Sequence, residues 1–219
     1  MAAAASALLG LSILVIGDSH MATPNYLIGS LHDNLIEQGA TVHSLGVCGT
    51  QSGDWAKAVK GTCGGAERTG SEPAVSTGAA ATTQPVGDLI RKDKADLVVV
   101  IQGDTIASYD NPEFPKTWAW KQVTDLTKAI AATNTACVWV GPAWGTEGGK
   151  YGKNFKRVEE VSKFLAENVA PCTFVDSTKF SQPGEWKTID GQHLTGTNYK
   201  KWGAAITEAI IAAAPAKKN

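Results

Sequence analysis

Four consecutive residues, Gly17-Asp18-Ser19-His20, end an apolar run, and Asp190 and His193 stand three apart near the far end of the chain. A serine hydroxyl attacks an ester carbonyl only when a base takes its proton, and an imidazole is the usual base. A carboxylate close to that imidazole in a tight turn can orient the ring and stabilise its charged form. The chemistry would be acyl transfer through a serine ester. Turn structure is the plainer alternative: Gly17 for an unusual backbone angle, Asp18 or Ser19 as a helix N-cap, and Asp190 as the cap of a turn. Of the four histidines, His20 adjoins the serine, His32 falls on a helical stripe and His43 alternates within a strand. That leaves His193, in the polar segment TIDGQHLTGTNY, as the candidate base.

Such residues need a scaffold that brings the two chain ends together. Short apolar, β-branched runs recur at residues 12–17, 41–47, 95–104, 136–143 and 172–177. Continuous runs of this kind suit parallel strands covered on both faces. Between them lie helical stripes: Leu27, Leu31 and Leu35, stopped by Gly39; Val123, Leu126 and Ile130; Phe155, Val158, Val161, Leu165 and Val169. Tyr199, Trp202, Ile206 and Ile210 mark a last helix. Strand and helix alternating with right-handed crossovers predict a doubly wound α/β sandwich, with five parallel strands in the order 2-1-3-4-5. Ligands bind beyond the carboxyl ends of such strands, where Ser19 falls. Residues 61–87, rich in Gly, Ser, Thr and Ala, read as an irregular excursion, and 109–120 as an insert carrying proline and tryptophan.

Composition narrows the partners. The chain has 219 residues, 43% hydrophobic, and a formal net charge of −1, which fits one soluble domain. Basic residues are scattered, which argues against nucleic acid. The first apolar run is too short to cross a bilayer, so no membrane insertion is expected. Residues 1–10, beginning MAAAASA, lack the basic start of an export signal and read as a leader remnant or an added start outside the fold. The domain is then 11–214, with 215–219 as a tail. The cysteines carry no metal-binding spacing, so neither metal nor cofactor is expected.

IGDSH near the start with DGQHLT near the end resembles the SGNH, or GDSL-like, hydrolase family. The resemblance spans about residues 11–210. It implies a flavodoxin-like three-layer α/β/α fold, with Ser19 as nucleophile, His193 as base and Asp190 as its orienter. It also implies an oxyanion hole built from the Ser19 N–H, a glycine N–H after the second strand and an asparagine side chain after the third. Gly49 fits the glycine, with Gly46 as the alternative. At the asparagine position the chain departs from the family: it reads Gly103-Asp104-Thr105. Thr105 takes that place, or Gln102 reaches in from the strand. His20, Gln102 and Trp144 are candidate substrate contacts.

On this fold two cysteine pairs are neighbours, Cys48–Cys63 and Cys137–Cys172, and pairing would indicate a periplasmic or secreted protein. Of the seven tryptophans, Trp139 and Trp202 read as core. Trp55, Trp118, Trp120, Trp144 and Trp186 fall in or near loops, where indoles stack on sugars. The expected activity is removal of small acyl groups, foremost acetyl, from a cell-surface or extracellular polysaccharide. Proteins of polysaccharide biosynthesis are the expected partners. Transfer of the acyl group to a glycan hydroxyl, and a noncatalytic glycan-binding module on the same fold, are the alternatives.

Overall fold

The computed structural model describes residues 6–214. The 215–219 tail and the first five residues of the expected leader lie outside the described residues. The sheet forms because its strands are apolar at successive positions. In β1 (Ser12–Gly17), Ile13 and Val15 face one core while Leu14 and Ile16 face the other. β5 (Leu97–Ile101) and β6 (Ala136–Val140) alternate in the same way. Each fully buried aliphatic side chain contributes about 1.5–3 kcal/mol, so a strand with two dry faces is strongly placed.

Helices α1 (Leu27–Glu37) and α6 (Gly196–Ala213) cover the first face. Helices α2 (Val86–Asp93), α4 (Lys116–Ala131) and α5 (Phe155–Asn168) cover the second. A single turn, α3 (Asp104–Ala107), follows β5 directly. Among the described residues no helix is long and apolar enough to cross a membrane.

The expectation of a five-stranded parallel sheet is corrected. The sheet has seven strands in the order β4-β3-β2-β1-β5-β6-β7, and it is mixed. β2 (Thr41–Val47), β1, β5, β6 and β7 (Thr173–Val175) run parallel. The added strands are β3 (Gly65–Thr69) and β4 (Val75–Ser76), both antiparallel, inside the segment read as irregular. Ladder bonds, β3 to β2 and β4 to β3, supply the order that its weakly apolar sequence does not. The domain boundary is corrected too. Leu8 is fully buried in the core cluster that holds Leu11 and Leu35, and Gly10 N–H donates to the Gly39 carbonyl at 2.8 Å. The packed domain therefore begins before Leu11.

Both cysteine pairs are disulfide-bonded, Cys48–Cys63 across 15 residues and Cys137–Cys172 across 35. Closing a loop of about 15 residues stabilises by about 3 kcal/mol through the unfolded chain. The first bridge sits where β2 ends, beside Gly49.

Candidate active site

Ser19 sits immediately beyond the end of β1, the strand flanked by β2 and β5. Asp18 shapes the turn: its Oδ1 accepts the His20 N–H at 3.0 Å, and its carbonyl accepts the Met21 N–H at 3.0 Å. From the other end of the chain comes the loop before α6. Asp190 Oδ1 accepts the backbone N–H groups of Gln192 (3.1 Å) and His193 (2.8 Å). Its Oδ2 accepts the His193 Nδ1–H at 2.7 Å. Gly191, at φ +96°, allows the turn, because that backbone angle strains any residue with a Cβ. His193 Nε2 then accepts the Ser19 hydroxyl proton at 2.7 Å. Asp18 and Asp190 are thus turn caps, as the plainer reading holds, and Asp190 orients the imidazole as well. The two readings are compatible.

Electrostatics suit a base. Burial, then the nearby His20 charge, hold the His193 pKa below its ordinary value. Burial pushes the Asp190 carboxyl up, but the His193 N–H and imidazole outweigh it, and its pKa falls. Tyr26 stacks on the His193 ring at 5.8 Å and Tyr151 meets it edge-on at 5.6 Å.

Ser19 and His193 open on a cleft of about 630 Å³ lined also by Gly49, Thr105, Tyr109, Trp118 and Tyr151. Gly49 has φ +79°, and a Cβ there would collide with the Thr62 hydroxyl. Neither its N–H nor that of Ser19 has a protein acceptor among the described residues. Gly46 lies within β2 against the Met21 backbone, away from the cleft. Thr105 reaches the cleft, yet its hydroxyl donates inward to Gln102 Oε1 at 2.8 Å.

Three expected substrate contacts are corrected. His20 is 3% exposed and is held by Tyr199 and Asp104, each at 2.8 Å. Gln102 is buried under Thr105, and its own backbone carbonyl accepts the Trp139 indole N–H at 2.8 Å. Trp144 is buried, its indole N–H donating to the Thr178 carbonyl at 2.9 Å. None of the three lines the cleft. Trp55 and Trp186 are buried as well, so Trp118 is the tryptophan that reaches the cleft.

Sequence reasoning missed a buried polar hub centred on Asp104. Its carboxylate accepts from Lys153 Nζ at 2.8 and 3.0 Å, from His20 Nε2 at 2.8 Å and from the Tyr109 hydroxyl. Burial alone would raise its pKa; the Lys153 ammonium and His20 override this and hold it well below the carboxylate range. Lys153 also ends a loop that braces the Asp190–Gly191 turn. Thr146 N–H donates to the Gly191 carbonyl and Lys150 N–H to the Asp190 carbonyl, each at 2.9 Å. A Cβ at Gly145 or Gly149 would strike that carbonyl backbone. The one available signal was a carboxylate at a strand end; Lys153 is spaced like any exposed lysine.

No family model matches the chain. It is 41% identical over 206 residues to Protein BcsX of Komagataeibacter xylinus, covering 93% of this chain and 78% of that one. Among solved structures, a GDSL-like lipase from Bacteroides thetaiotaomicron superposes with a TM-score of 0.57 at 14% identity, over 92% of this chain and 88% of the other. An acetylxylan esterase from Geobacillus stearothermophilus gives 0.54 at 15% identity, over 92% and 94%. A carbohydrate esterase family 3 protein from Talaromyces cellulolyticus gives 0.58 at 12%, over 93% and 97%. These likenesses establish the SGNH/GDSL-like hydrolase fold.

Proposed function

The chain belongs to the family of Protein BcsX, and on that premise we propose that it is a serine-dependent carbohydrate esterase releasing acetyl groups from a polysaccharide. The unbroken hydrogen-bonded line Ser19–His193–Asp190, opening on a cleft, carries the reading. His193 Nε2 takes the hydroxyl proton as Ser19 Oγ bonds to the ester carbonyl carbon. The Ser19 and Gly49 N–H groups receive the developing oxyanion. Collapse expels the sugar alcohol, which takes the proton back from His193. Water, deprotonated by the same imidazole, then releases acetate and restores Ser19. Asp190 holds the ring and stabilises its charged form throughout.

The fold's acetylesterase relatives and the aromatic lining of Tyr109, Trp118 and Tyr151 support a sugar-bound acyl substrate. The two disulfides support a periplasmic or secreted setting, and proteins of polysaccharide biosynthesis are the partners this reading proposes. The test is acetate release from acetylated xylan and acetylated glucan, with and without an oligosaccharide acceptor. Release into water is the expected result. Appearance of the acetyl group on the acceptor instead would make the protein a transferase, and failure on every acetylated glycan would sink the reading.

The depressed His193 pKa sets the pH dependence. Only the neutral imidazole accepts a proton, and a lowered pKa keeps it neutral further into acid. The kcat/KM of a simple ester should therefore fall on acidification with a midpoint below 6.5. A rate profile from pH 4 to pH 9 checks this; a midpoint above the ordinary histidine value of about 6.5 would contradict it.

A further inference from the structure

Thr105 has one hydroxyl proton and directs it inward, with Oγ1 2.8 Å from Gln102 Oε1 and 3.4 Å from Asp18 Oδ2. The second distance is long for an O–H···O bond, so Gln102 is the acceptor. Yet Thr105 lines the cleft beside Ser19 and Gly49, where an oxyanion would form. A hydroxyl committed to Gln102 has no proton left for that charge. The other half of the amide is equally out of place. Gln102 is 1% exposed, and its Nε2 has no hydrogen-bond partner among the described residues. Buried donors are rarely left unpaired.

One motion resolves both anomalies. Resting on the esterase reading, we propose that Gln102 is a positioning residue whose amide turns over as the tetrahedral intermediate forms. Nε2–H then donates to Thr105 Oγ1, while Thr105 turns its proton onto the oxyanion. A hydroxyl can accept one hydrogen bond while donating another, so every proton stays on its own atom and no covalent bond changes. A bond to a charged acceptor is roughly twice as strong as one to a neutral amide, so the developing charge draws the Thr105 proton away from Oε1. Two oxygens would then face each other with no proton between them. Rotation replaces Oε1 with Nε2 and gives the orphaned donor its partner. The displaced Oε1 takes the vacated position, where an unpaired carbonyl oxygen is tolerated better than an unpaired N–H. The backbone stays anchored by the Trp139 indole on the Gln102 carbonyl. The gain exists only with the oxyanion present, so it belongs to kcat and leaves substrate binding alone.

The test compares Gln102→Met, Thr105→Val and the double variant, with Gln102→Leu as a second apolar replacement should methionine not fold. Two quantities are read: kcat and KM on 4-nitrophenyl acetate, and the rate at which a 4-nitrophenyl phosphonate modifies Ser19, followed by intact mass. Gln102→Met should lower kcat and the phosphonylation rate about three- to tenfold, with KM unchanged. In Thr105→Val protein the same change should lower neither further, because Gln102 acts through the threonine hydroxyl. A merely structural role would act in both backgrounds. Equal losses with threonine or valine at 105, or no loss at all, would overturn the proposal. If wild-type Ser19 neither turns over the acetate nor takes the phosphonate, the esterase reading itself fails, and this inference falls with it.

Discussion

Ser19→Ala lowers ester turnover by roughly 10⁶-fold, as loss of the serine does where serine, histidine and aspartate act as a unit. Melting temperature and glycan affinity change little. Ser19 is 8% exposed at the rim of the cleft, and its hydroxyl bonds to His193 alone among the described residues. The side chain supplies chemistry and little packing, so the expected loss falls on kcat. Kinetics on a chromogenic acetate, paired with thermal melting, separate the two effects. Turnover within tenfold of wild type would mean another nucleophile, and a collapsed melting temperature would mean that the hydroxyl is structural.

Lys153→Met acts oppositely, on stability first. Lys153 and Asp104 are 1% and 0% exposed at their side chains, and removing the ammonium leaves a buried carboxylate with only neutral or shared donors. Such losses cost about 3–5 kcal/mol. For a domain of this size, each kcal/mol moves the melting temperature by about 2–4 °C, so a fall of about 6–20 °C is expected near pH 7. The sign with pH follows from the depressed Asp104 pKa. Its stabilisation is complete above the ordinary value of 3.8 and is lost as pH falls toward the folded-state value. In the variant, burial is no longer offset by the ammonium, and the carboxyl protonates at higher pH. The gap between wild type and variant should therefore narrow from pH 7 to pH 4. Adding Asp104→Asn to Lys153→Met removes the unpaired charge and should recover most of the loss. Melting curves at the two pH values check both statements. An unchanged melting temperature at pH 7 would show that the pair contributes nothing.

The central parallel strands were legible because both faces of β1 and β5 are dry, which writes an uninterrupted apolar run into each. Ser19, Asp190 and His193 stand out in the sequence as candidates because each lies in a local motif, a strand end or one short turn, and the fold joins them in one hydrogen-bonded line. β3 and β4 were not legible. Their residues, Gly65–Thr69 and Val75–Ser76, form strands through ladder bonds, β3 to β2 and β4 to β3, not through an apolar pattern. The family resemblance points to Gln102 and Thr105, but which way a hydroxyl proton points is decided by packing around it. Lys153 was invisible for a related reason. A lysine stem and ammonium look alike in sequence whether they end in water or, as here, against a buried carboxylate. The tryptophans misled because loop position does not imply exposure: Trp55, Trp144 and Trp186 lie in or near loops and are buried.

The central claim is that an acyl group passes through Ser19, and trapping that intermediate tests it most directly. Protein mixed with 4-nitrophenyl acetate, quenched in acid within the first turnovers and digested, is read by peptide mass spectrometry. An acetyl group should map to Ser19, form far more slowly in His193→Ala protein, which lacks the base for the Ser19 proton, and vanish in Ser19→Ala protein. Acetyl on any other residue at equal occupancy, or sustained acetate release with Ser19 never modified, would contradict the account.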